Sequence, residues 1–102
     1  MEKILYLTLK KPQFEVTLSG EKKIEYRRFS RWISSRLINK EYSAVKFVNG
    51  YGNDKPYFIA KYSGFKKIDK NEEHCFSNGL VVQVKTGDFA IKLGNVIETG
   101  NL

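Results

Sequence analysis

The chain has 102 residues, a length that fits one domain over residues 1–102 with a modest core and no need of disulfides or metal. Hydrophobic residues at 41% and aromatics at 14% exclude a disordered tail, and 18 Lys and Arg against 11 Asp and Glu leave a charge of +7 that favours an anionic partner, nucleic acid first. No run approaches the ~20 apolar residues of a bilayer span, the opening Met1 to Tyr6 lacks a signal-peptide pattern, and Cys75 is the only cysteine, so the expectation is a cytoplasmic protein with no membrane partner and no internal disulfide.

Residues 3–9, KILYLTL, alternate in part and are rich in β-formers, which predicts a first strand. Pro12 suits a helix's first turn, Phe14, Thr17 and Leu18 share a face, and Gly20 closes the far end, giving a short helix over 12–19. From Lys23 to Arg28, Ile24 and Tyr26 alternate with Glu25 and Arg27, so a second strand sets a carboxylate beside a guanidinium on one face. Ser30 is the expected cap of a helix carrying Trp32, Ile33 and Leu37. YSAVKFVNGY reads as a strand in which Val45 and Phe47 alternate with Lys46, ending at the Asn49-Gly50 turn, and PYFIAKYSGF reads as another. Residues 66–79 are charged and aperiodic, which predicts a surface loop; LVVQV and DFAIKLGNVI then read as two strands joined around Thr86-Gly87. Five or six strands, two short helices in the N-terminal half and no regular βα alternation imply an α+β fold, a small mixed sheet curling into a barrel.

The segment Gly20-Glu21-Lys22-Lys23-Ile24-Glu25-Tyr26-Arg27 spells GxKxxExR. In that pattern, with a strand and short helix before it, Trp32 on the helix after it, Phe47 to Tyr51, and the closing run Asp88 to Ile97, the chain resembles the ASCH family of the PUA-like superfamily over nearly its whole length, most weakly over residues 66–85. The resemblance implies a PUA-like β-barrel whose cleft handles RNA or a nucleotide. It also implies two activities beside binding: some members are ribonucleases, and a related branch hydrolyses the amide of N4-acetylcytidine with a lysine, a threonine and a glutamate. Lys22 matches that lysine, whereas Glu25 stands where the nucleophilic threonine would be, which counts against the amidohydrolase because a carboxylate does not replace a hydroxyl nucleophile.

Lys22 and Arg27 suit a phosphate or a polar base edge, and Glu25 can orient them or act as general base, so Lys22 and Glu25 are the catalytic candidates if the protein is an enzyme. If the resemblance is set aside, an ordinary exposed Glu25–Arg27 ion pair worth ~0 to 1 kcal/mol, with Lys22 simply solvated, is the better account of these residues. Trp32, Lys46, Asn49 and Tyr51 complete the expected binding set, although core packing accounts for Trp32 and turn chemistry for Asn49-Gly50. Aromatic and basic residues interleave from Tyr57 to Lys67, with about half of the aromatics owed to the core, as are Tyr6, Tyr26 and Phe47. The adjacent His74 and Cys75 give neither zinc-ligand spacing nor a Cys-His catalytic pair, so no metal and no cofactor is expected. RNA binding is therefore the first expectation, a metal-independent hydrolase of RNA or a modified nucleoside the second, and a protein-binding inhibitor on the same scaffold the third.

Overall fold

Alternation builds the first strand: in β1 (Ile4–Leu9), Leu5, Leu7 and Leu9 face the core while Tyr6 points away from it. The structure, a computed structural model, describes residues 3–50 and 54–102. After β1 come α1 (Lys11–Leu18), β2 (Ile24–Arg27), α2 (Arg31–Leu37), β3 (Ala44–Asn49), β4 (Tyr57–Lys67), β5 (Glu72–Cys75), β6 (Val81–Val84) and β7 (Phe89–Gly100). Pro12 sits in the first turn of α1, and Ser30 caps α2 by accepting a hydrogen bond from the Ile33 amide, both where the sequence puts them.

Five strands form one curled sheet in the order β1-β3-β4-β7-β2. β1 and β3 run parallel, with Leu7 opposite Phe47, and the chain between them carries α1, β2 and α2; every other pairing is antiparallel. The long strands β4 and β7 slip register between Ile59 and Ala60, between Ala60 and Tyr62, and between Tyr62 and Phe65, and such irregularities bend a sheet. Gly64, at φ +96°, supplies the left-handed backbone one of these bends needs. The result is a half-barrel whose concave side holds Leu5, Leu7, Phe14, Ile33, Leu37, Phe47, Phe58 and Ile91. Its two free edges are β1 and β2.

A second, two-stranded sheet of β5 and β6 packs on the outside of the half-barrel. Ile68, Val84 and Ala90 form the core of that junction, with Ile24, Tyr26 and Val82 against it. Residues 66–79 thus correct the expectation of a loop: β4 runs on to Lys67, and Glu72 to Cys75 is a strand. Glu72 and His74 are its half-buried positions and Glu73 and Cys75 its exposed ones. The inward side chains are polar because His74 packs on Tyr26, so no apolar alternation marks the strand. The last two strands are joined through the Lys85–Asp88 turn as read, with Gly87 at φ +95°, yet they pair in different sheets. Tyr6, expected in the core, and Trp32, expected in the binding set with packing as its alternative, stand 62% and 51% exposed, because the inward faces of β1 and α2 are filled by leucines and by Ile33 and Leu37.

Candidate functional site at the seam of the half-barrel

Gly20, at φ +89°, lets the chain leave α1 sharply, and the Lys22 amide returns a hydrogen bond to the Val16 carbonyl at 3.0 Å. The turn delivers Lys22 to the start of β2. That strand pairs with β7, placing Glu25 opposite Ile91 and Arg27 opposite Phe89. Period two then sends Ile24 and Tyr26 to the junction with the small sheet, and Glu25 and Arg27 to the other side.

Glu25 is 1% exposed and Lys22 3%, so neither is a surface charge. The Lys22 ammonium donates to Glu25 Oε1 at 2.6 Å, and Arg27 Nε donates to Glu25 Oε2 at 2.9 Å. Arg27 Nη2 reaches further and donates to the Thr8 carbonyl at 2.7 Å. Thr8 belongs to β1 and Arg27 to β2, the two free edges of the sheet, so one guanidinium clasps the seam that the strand pairing leaves open. Glu25 sets that guanidinium in plane, and Lys22 balances the carboxylate from its other oxygen. Among the described residues no buried side-chain nitrogen or oxygen lacks a hydrogen-bond partner.

Beside the clasp opens a hollow of about 640 Å³ lined among the described residues by Lys10, Lys11, Gln13, Glu25, Arg27, Arg28 and Asn49, with Thr8 and Gly50 at its wall. Four of those side chains are cationic, and the one carboxylate is already ion-paired twice. Lys10 to Gln13 include the first turn of α1, whose cap residue Lys10 makes no side-chain cap; Pro12 brings no N–H, so the Lys11 and Gln13 amides, together with the cations, favour an anion there. A second hollow of about 410 Å³ is lined by Tyr6, Leu7, Thr8, Arg27, Trp32 and Val48. The two hollows share Thr8 and Arg27, the ends of the clasp, which acts as the septum between them.

The structure therefore brings Lys22, Glu25 and Arg27 together as the motif predicts, but with unequal access. Lys22 borders two smaller hollows, of about 330 and 210 Å³, and not the large basic one. Asn49 lies in the basic hollow with Arg27, and Trp32 in the neighbouring one. Lys46 lies outside both linings, on the outer face of β3 with its ammonium 4.3 Å from the centre of the Tyr57 ring, and Tyr51 lies outside the described residues. Lys10, Lys11, Gln13 and Arg28 were not singled out by sequence reasoning; the one signal was the run of cations next to Pro12 and next to Arg27.

His74 is not a lone loop residue: its ring stacks on Tyr26 with centroids 5.1 Å apart, and Nε2 lies 3.1 Å from the Tyr26 hydroxyl and 3.0 Å from Glu72 Oε1. Burial first, then the Glu72 charge, pushes the Tyr26 hydroxyl above its ordinary pKa. No group of three or more His, Cys, Asp or Glu that could hold a metal ion occurs among the described residues.

No protein-family model, curated protein or solved structure matches this chain.

Proposed function

We propose that this protein is a short ASCH domain that binds RNA, or one of its nucleotides, in the basic hollow at the seam, with Arg27, Arg28, Lys10 and Lys11 as the phosphate-facing cations. The observation that carries this reading is the cluster of cations around one concavity that, among the described residues, holds no unpaired carboxylate. Arg27 is fixed by Glu25 and by Thr8, so it meets a ligand with little ordering left to do. Lys22 acts through Glu25 as a positioning residue: its ammonium is spent on Oε1.

Glu25 as general base is the weaker reading, since the carboxylate is 1% exposed and each of its oxygens already accepts from a cation. Binding of a labelled single-stranded RNA, followed by anisotropy in wild type and in a Lys10→Ala, Arg28→Ala double variant, tests the proposal. Both side chains are exposed and outside the core, so folding should survive. The expected outcome is salt-sensitive affinity that the double variant weakens about tenfold or more, with the RNA uncut. Affinity indifferent to salt, or equal in both proteins, sinks it.

A further inference from the structure

Tyr6 and Trp32 are large aromatic rings that the fold leaves 62% and 51% exposed, and both line one hollow of about 410 Å³. Among the described residues the other exposed aromatic ring, Phe29 at 55%, already stacks on Phe89 with centroids 5.9 Å apart, and Tyr57 is half-buried and packs so tightly on Gly100 that a Cβ there would lie 2.2 Å from it. The surroundings of the Tyr6–Trp32 hollow are cationic. Arg27 lines it, and the Arg36 guanidinium stands 5.1 Å from the centre of the Trp32 ring. Among the described residues no carboxylate lines it.

We infer that this hollow is a base-stacking subsite, where one unpaired nucleobase of a single-stranded RNA lies against Tyr6 and Trp32. The inference rests on the RNA-binding reading above and sharpens it. The hollow shares Thr8 and Arg27 with the basic one, so a strand that seats a phosphate beside Arg27 brings a neighbouring base to the aromatic side of the clasp. A ligand of at least two nucleotides is required to fill both halves. A duplex is excluded, because its bases already stack on one another and offer no free face. The chemistry suits a base better than a protein side chain: flat rings bordered by guanidinium groups recognise a π face joined to a phosphate. Stacking of this kind discriminates little between bases, so the subsite selects for single-strandedness more than for sequence.

Trp32 is the only tryptophan in the chain, so its fluorescence reports on this hollow directly. The experiment titrates the full chain with a uridine hexamer and with an abasic ribose-phosphate hexamer of equal charge. The hexamer is expected to quench Trp32 and to bind roughly five- to hundredfold more tightly than the abasic strand. Tyr6→Ala and Trp32→Ala should each reduce that advantage, Trp32→Phe should restore most of it, and circular dichroism checks that these surface variants stay folded. The Lys10→Ala, Arg28→Ala variant should weaken both strands alike. If both hexamers bind equally, with salt sensitivity but no quenching, the subsite is refuted while the basic hollow stands. If neither strand binds, both readings fall. A protein ligand lost with Trp32→Ala and not displaced by the hexamer also overturns the subsite.

Discussion

Glu25 illustrates how two neighbours change what a residue can do. On an exposed strand its pair with Arg27 would contribute ~0 to 1 kcal/mol. Here the carboxylate is buried with Lys22 and Arg27 on separate oxygens, so removal of either partner strands a charge away from water. Glu25→Ala is therefore expected to lower the unfolding free energy in urea by about 3–5 kcal/mol. The Lys22→Met, Glu25→Leu double variant should regain most of that loss, because it removes the buried pair in place of breaking it. The spacing of Glu25 and Arg27 already put them on one face in the sequence; their depth was hidden, since a strand with charges on one side ordinarily shows those charges to solvent.

At the scale of elements, the seam between β1 and β2 depends on side chains where the rest of the sheet depends on backbone ladders. Arg27→Ala removes the hydrogen bond to Thr8, and the expected cost is about 1.5–3 kcal/mol, the usual range for a hydrogen bond to a charged group. Arg27→Lys should recover little of it, since one ammonium lacks the fork that meets Glu25 and Thr8 together. Faster amide exchange in β1 than in β3 of the variant would report the opened edge. A second tether joins the turn after β5 to the start of the motif: Glu21 accepts from the Ser77 hydroxyl at 2.6 Å and from its amide at 2.8 Å. Those bonds, the side-chain one foremost, hold the Glu21 carboxyl below its ordinary 4.5. A group held lower in the folded chain than in the unfolded one stabilises fully above pH 4.5 and less as pH falls through its lowered value. Exchange of the Ser77 amide should accordingly accelerate on acidification below about pH 4.5 in wild type, and should be fast and insensitive to pH over that window in Glu21→Gln, after correction for intrinsic exchange. Ser30 and Pro12 were legible as helix signals because capping is local. β5 was not, because its inward side chains meet a tyrosine of another strand.

For the whole molecule, the charge of +7 attracts polyanions, but only the cations gathered in one hollow release counterions on binding a defined ligand. With three to four phosphates neutralised, the plot of log affinity against log salt for single-stranded RNA should slope by about −2 to −3, and a Lys10→Ala, Arg28→Ala variant should flatten it by roughly one unit or more. A slope near zero would separate net charge from a built site. By itself the sequence determined the α+β class, most of the strands, both helices with their start signals, and the placing of Glu25 and Arg27 on one face, since each follows from periodicity, capping or spacing along a short stretch of chain. Tertiary structure alone decided that β1 and β2 become the free edges, that Arg27 bridges them, that Lys22 turns inward, and that Tyr6 and Trp32 remain uncovered. Those outcomes depend on which strands pair and what already fills the core, and contacts between residues so far apart in the chain leave no mark on any local pattern.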